Sequence, residues 1–269
     1  MVLLQLVAVL GMATLGACAG WRIGKSKWWS VGYLLPLAIV TLVILGRRSV
    51  AASFVQPVEW VTRTSVIYLL MSAAVPALLA TLMPRLRTRG QRVAITVLMS
   101  VMVIYYGLLP VILPWWVRPS LAAIPTRMDP HGVCLQAHEY TCGPAAAVSA
   151  LQRLGIHAEE GPLGIAAFTA PAEGTDARDL ASAIEHLYAH DGARAAYQRY
   201  RSPDEARRHL PVIVSVTWDL VTHHYITILA ISDDTVLAAD PLSGQRTLSR
   251  QELDALWPGA AVQVWREGE

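Results

Sequence analysis

The stretch Gln136-Ala-His-Glu-Tyr-Thr-Cys142-Gly-Pro-Ala-Ala-Ala-Val148 sets a thiol at the head of an apolar helix, six residues after a side-chain amide. Pro144 falls in the first helical turn, where an N–H has no intrahelical acceptor, and Gly155 stands where the apolar run stops. Together they predict a helix over 142–154. Thr175 or Asp176 can cap a second helix over 177–189, with Leu180, Ile184 and Leu187 on one face. Residues 193–200 read as extended, Ser202-Pro-Asp-Glu opens a short helix, and the run Val-Ile-Val-Ser-Val-Thr-Trp after Pro211 reads as a strand. Residues 224–231 and 235–239 are rich in β-branched residues and flank the turn Ser232-Asp-Asp. Ser249-Arg-Gln-Glu252 forms a capping box for a helix over 250–257, and 261–265 reads as a last strand. Helices come first and strands later, which predicts an α+β domain built on an antiparallel sheet.

Three further residue types stand in settings that match the thiol. His224-Tyr-Ile-Thr-Ile-Leu229 puts an imidazole on a strand, and Asp240-Pro-Leu-Ser-Gly244 puts a carboxylate at a turn. Unpaired N–H groups and the positive end of a helix dipole favour the thiolate form of a cysteine placed there, and the thiolate is the nucleophile. An imidazole beside it can take and return the proton. A carboxylate behind the imidazole fixes its tautomer. The Gln136 amide and the Cys142 N–H can serve as oxyanion donors. Each residue alone has a plainer explanation: a small buried cysteine, a solvated glutamine, a strand histidine, a turn-forming aspartate. Their order and settings together favour acyl chemistry. His223 neighbours His224 but faces the opposite side of a strand. Cys134 is expected to be a free thiol, and Cys134, His131, His138 and Cys142 lack the paired short spacing of a zinc site. No metal and no cofactor are expected. The arginines of this half are scattered among acids, so no nucleic-acid surface is expected.

The chain divides near Arg118 into halves of opposite charge. Residues 1–118 hold 11 basic residues and one acid, Glu59, for a net of +10; residues 119–269 hold 11 arginines and 19 acids, for a net of −8. Four stretches, roughly 2–20, 28–46, 64–83 and 93–117, are apolar and long enough to cross a hydrocarbon core of about 30 Å. Trp28, Trp29, Trp115 and Trp116 sit at their ends, and Pro36, Pro76 and Pro110 lie inside them, as membrane helices tolerate. The first stretch lacks a basic leader, so it is expected to be a retained span, not a cleaved signal or a lipid site at Cys18. Seven basic residues (Arg22, Lys25, Lys27, Arg85, Arg87, Arg89, Arg92) share one side against Arg47, Arg48, Arg63, Arg118 and Arg127 on the other. The positive-inside bias then puts the seven in the cytosol and the second half outside it, at a bacterial inner or cell membrane. The expected organisation is a transmembrane helical region over 1–118, a proline-marked linker over 119–130 and a catalytic domain over 131–269.

From Gln136 through Leu154, then at His224-Tyr-Ile-Thr-Ile-Leu229 and Asp240-Pro-Leu-Ser-Gly244, the chain resembles the bacteriocin-processing cysteine peptidases that cleave leader peptides after a double glycine. The resemblance covers about residues 130–269. It implies a papain-like fold, with Cys142 as nucleophile, His224 as general base and acid, Asp240 as orienting carboxylate and Gln136 as oxyanion donor. Many members are fused to an ABC transporter. Here about four spans precede the peptidase-like region, and residues 1–269 hold no Gly-x-x-x-x-Gly-Lys-Ser/Thr loop, so ATP is not expected as a partner. The expected partners are a peptide or protein substrate, the lipid bilayer and a membrane protein. The expected function is a membrane-anchored cysteine peptidase, working in leader or propeptide processing for secretion. The alternatives are a non-catalytic peptide-binding or scaffold module of a secretion complex, and an amidase or acyl transferase using the same residues.

Overall fold

A computed structural model describes residues 2–48, 54–55, 64–171, 173–217 and 223–268. Contacts divide the chain into two units, Met1–Leu113 and Pro114–Glu269. The first unit is helical: α1 (Val2–Lys25), α2 (Trp29–Arg48), α3 (Thr64–Leu82) and α4 (Arg89–Val103). A π-helical turn at Ile104–Leu108 leads into α5 (Leu109–Trp116), directly before Pro110, whose missing N–H breaks the regular ladder. Four of the helical stretches are long and apolar enough to cross a membrane, at the places the sequence predicts, the fourth running through the π turn from Arg89. Glu59 and Arg63 lie outside the described residues.

Small residues let α1 and α3 touch along their backbones. Gly16, Gly20 and Gly24 recur every fourth residue on α1 and face the carbonyls of Ala73, Ala77 and Thr81, so closely that any Cβ there would overlap them. The register runs the same way on both helices, so α1 and α3 are parallel. Their C-terminal ends therefore meet, with the Arg85 guanidinium 4.1 Å from the centroid of the Trp29 ring. The two basic turns thus lie at one end of the helical unit. Leu3, Leu4, Val7 and Leu10 of α1 and Leu34 and Leu35 of α2 point outward, as on a lipid-facing surface.

The second unit begins with α6 (Arg118–Ala122) and a two-residue hairpin, β1 (Arg127–Met128) and β2 (Cys134–Leu135). Helices α7 (Cys142–Arg153), α8 (Glu160–Ala166) and α9 (Ala177–Tyr188) follow. Then come β3 (Ala193–Arg199), the short α10 (Pro203–Ala206), β4 (Val212–Thr217), β5 (His223–Ile231), β6 (Thr235–Asp240) and β7 (Gly244–Ser249). The unit ends with α11 (Arg250–Leu256) and β8 (Ala260–Arg266). The sheet is wholly antiparallel in the order β3-β8-β4-β5-β6-β7. This is the predicted α+β architecture, and it is the papain-like fold. Asp176 is the residue that caps α9, and Ser249 with Glu252 closes the capping box of α11.

One apolar layer lies between the helices and the sheet, built from Ala145, Ala146, Val148, Leu151, Leu180 and Ile184 against Ile213, Val262 and Val264. A second layer covers the opposite face, where Val212, Val214, Ile226, Val236 and Ala238 meet Leu253 and Trp257. Alanines on α7 bring its axis close to β5, and the buried Thr227 hydroxyl donates to the Ala146 carbonyl at 2.7 Å. That bond fixes the helix carrying the thiol against the strand carrying the imidazole.

Candidate active site

Cys142 is the first residue of α7 and only 7% exposed. At that position its N–H has no acceptor within the helix. The turn before it is held by reciprocal bonds: His138 N–H donates to Thr141 Oγ1 (3.0 Å), and Thr141 Oγ1 and Thr141 N–H both donate to the His138 carbonyl (2.9 and 3.1 Å). Gly143 lies against the Thr175 side chain, where a Cβ would stand 2.9 Å from the threonine Cβ. The Thr169 and Thr175 hydroxyls bond each other at 2.8 Å and close that wall.

His224 and Asp240 come together across β5 and β6. His224 Nε2 is 2.8 Å from Asp240 Oδ1, and the two side chains are 7% and 2% exposed. A carboxylate only accepts, so Nε2 carries the hydrogen and Nδ1 is the atom left for Cys142, which is hydrogen-bonded to His224. Burial disfavours the charged imidazole, but the bonds to Asp240 and Cys142 outweigh it and raise His224 from 6.5 to about 9. Burial likewise opposes the Asp240 carboxylate. The donors His224, Ser243 Oγ and Leu242 N–H override it and hold Asp240 well below the usual carboxylate range. Arg246 Nη1 adds a contact to Asp240 Oδ2 at 3.3 Å. A largely apolar cavity of about 210 Å³ adjoins Asp240 and Arg246 and is walled by Val216, Ile226, Ala238 and Leu248.

Gln136 stands beside these residues through its backbone: its N–H donates to the Pro241 carbonyl at 2.9 Å, next to Asp240. Its side-chain Nε2 donates to the His138 carbonyl at 2.9 Å, while Oε1 is buried without a partner among the described residues. One of the two amide hydrogens is thus engaged within the loop, and the other is available. The structure therefore brings Cys142, His224 and Asp240 into one hydrogen-bonded series, with the Gln136 loop at its edge. His223 belongs to β5, but its side chain is outside the described residues. Cys134 is a free thiol, fully buried and pushed up to about 12 by burial and by the nearby Glu160, so it is inert as a nucleophile.

Several contributors were not found from sequence. Leu242 N–H and Ser243 Oγ bond Asp240 at 2.9 and 2.7 Å. Asp-Pro-x-Ser before a glycine carries the signature of an aspartate that bonds the backbone two residues on, so this turn is legible in the sequence. Arg246 arrives on β7, a strand whose polar sequence gives no period-two signal. Asp129 joins the β1–β2 hairpin to β7, accepting from His131, Val133 and Gln245 N–H groups.

A thiol at a helix N-terminus, facing an imidazole–carboxylate pair on an antiparallel sheet, is the arrangement of the papain-like cysteine peptidases. More narrowly, the model of the Peptidase C39 family matches residues 131–269, and the chain belongs to that family. A protein of Methanothermobacter marburgensis is 30% identical over 132 residues, covering 49% of this chain and 87% of its own. A second, from Methanothermobacter thermautotrophicus, is 29% identical over 141 residues, covering 52% and 93%. Among solved structures, the double glycine motif protease of an AMS/PCAT transporter, in complex with its leader peptide, is 15% identical, with a TM-score of 0.43 over 53% of this chain and 92% of that one. The peptidase domain of Streptococcus ComA, a bi-functional ABC transporter, is 20% identical, with a TM-score of 0.44 over 49% and 96%.

Proposed function

We propose that the protein is a membrane-anchored cysteine peptidase that cleaves a leader or propeptide during secretion. The observation that carries this is the buried series from Cys142 through His224 to Asp240, with Asp240 anchored by four donors. His224 Nδ1 takes the Cys142 proton and readies the sulfur for attack. The Cys142 sulfur attacks the scissile carbonyl, and the oxyanion is met by the Cys142 N–H and the free hydrogen of Gln136 Nε2. His224 Nδ1 gives its proton to the leaving amine, which departs and leaves a thioester on Cys142. His224 Nδ1 then takes a proton from water, hydroxide attacks the thioester, and the acid product leaves as the thiolate re-forms. Throughout, Asp240 keeps the ring oriented and its Nε2 hydrogen in place.

Membership of the Peptidase C39 family supports a leader peptide as substrate, with a double-glycine junction the first to test. The seven basic residues gathered at one end of the helical unit support a cytosolic position for that end and an extracytoplasmic peptidase unit. The test is turnover of a fluorogenic double-glycine leader peptide by the purified full chain, beside Cys142→Ala. Cleavage at the leader junction by the wild type alone supports the assignment; equal cleavage by both proteins overturns it. A membrane-impermeant protease added to intact cells tests the orientation: digestion of residues 131–269 supports it, and full protection reverses it.

A further inference from the structure

Glu160 is fully buried at the first position of α8, with no ion pair among the described residues. Its Oε1 accepts the Ala137 N–H at 2.9 Å, while its Oε2 is buried without a hydrogen-bond partner among the described residues. Leaving a polar oxygen buried and unpaired is destabilising, so local stability does not explain a carboxyl group here. What Glu160 holds is more informative. Ala137 directly follows Gln136, and the segment is held at two successive N–H groups: Gln136 N–H on the Pro241 carbonyl, Ala137 N–H on Glu160. The next residue closes the loop, since the His138 carbonyl takes the Gln136 amide hydrogen. The aim of the Gln136 side chain thus depends on where the Ala137 N–H is fixed.

Glu160 is itself seated from behind. Its N–H donates to Thr126 Oγ1 at 3.0 Å, and Gly161 lies so close to the Leu121 carbonyl that no side chain fits. The backbone that carries the carboxyl group is thus fixed independently of the Gln136 loop.

We propose that Glu160 is a positioning residue for the oxyanion side of the site, fixing the Gln136 loop through the Ala137 N–H. This rests on the peptidase assignment above. It separates two functions of the site: Glu160 governs the Gln136 donor and leaves the Cys142–His224 pair untouched. Alkylation of Cys142 by iodoacetamide needs the thiol pair but develops no oxyanion, whereas peptide turnover needs both.

The test compares the detergent-solubilised full chain with Glu160→Leu and Glu160→Gln in both assays. Glu160→Leu removes the acceptor but keeps bulk, and should lower kcat about 10- to 100-fold, less than deleting an oxyanion donor outright. Its KM and its Cys142 alkylation rate should stay within about twofold of wild type. Glu160→Gln keeps an acceptor oxygen for the same N–H and should restore most of the turnover. In a Gln136→Ala background, adding Glu160→Leu should cost nothing further, because the group being positioned is gone. Unchanged kcat in Glu160→Leu overturns the proposal, as does a parallel loss of turnover and alkylation, which marks general disruption. Glu160→Asp, which withdraws the acceptor by one methylene, carries the same comparison if Glu160→Leu fails to fold. Turnover that survives in Cys142→Ala would instead remove the peptidase assignment itself, a separate outcome.

Discussion

Replacing Asp240 by asparagine tests the electrostatics of the site with almost no change of shape. His224 is raised from 6.5 to about 9, and its side chain is 7% exposed, so water screens little of the interaction. At about 1.4 kcal/mol per unit, the imidazolium is favoured by roughly 3 kcal/mol, net of burial and shared between Asp240 and Cys142. An asparagine oxygen can still accept from His224 Nε2. Its NH2 must then face Arg246 Nη1, which is donor-only, so both the charge and part of the geometry are lost. A loss of one to two units is expected, which lowers the pH up to which the imidazolium persists from about 9 to about 7–8. The assay is the second-order rate of Cys142 alkylation by iodoacetamide from pH 5 to 10, read by peptide mass spectrometry. Between about pH 7.5 and 9 the Asp240→Asn rate should fall by up to about 10-fold, and the two profiles should converge in acid, where both imidazoles are charged, and in alkali, where a thiol ionises unaided. Superimposable profiles would refute the claim that the Asp240 carboxylate holds the charge on His224.

Gly20→Val on α1 should destabilise the helical unit by at least about 1–3 kcal/mol, because the new Cβ meets the Ala77 carbonyl. Gly11→Ala, with open space around it, should leave the thermal midpoint in detergent unchanged or slightly higher. Thr227→Val should cost about 1 kcal/mol in denaturant unfolding of the full chain, through loss of the bond to the Ala146 carbonyl. Stability should also vary with pH in a defined sense. His224 binds its proton more tightly when folded, so its contribution is full below 6.5 and is lost as pH rises through about 9. Asp240 is lowered, so its contribution is present above 3.8 and is lost as pH falls further. The thermal midpoint should therefore decline between pH 6.5 and 9, and His224→Gln should flatten that decline.

The parts that were legible in the sequence are those whose physics is local. Apolar runs of membrane length declare themselves without knowledge of any partner. So do the α7 start at Cys142 and Pro144, and the Ser249–Glu252 capping box. The long-range features left weaker marks. Helix α8 reads Glu-Gly-Pro-Leu-Gly-Ile-Ala, with two glycines that argue against a helix, and it forms because Leu163 is buried in the helical layer. Strand β7, Gly-Gln-Arg-Thr-Leu-Ser, is a polar edge strand whose pairing with β6 delivers Arg246 to Asp240. Asp240 invited two explanations, a turn former or a histidine partner, and it is both: one oxygen serves Leu242 N–H and His224 together. The grip of Glu160 on Ala137 spans 23 residues, and no spacing rule encodes it.

Trapping the acyl intermediate would identify the proposed nucleophile, Cys142, by its own covalent bond to substrate. The full chain would be mixed with a leader-peptide ester, quenched in acid within milliseconds to seconds, and mapped by peptide mass spectrometry. A thioester is expected on Cys142 in the wild type and none in Cys142→Ala, with Cys134 and Cys18 unmodified in both. Hydrolysis that proceeds at the same rate without Cys142, or acylation found at another residue, would contradict it.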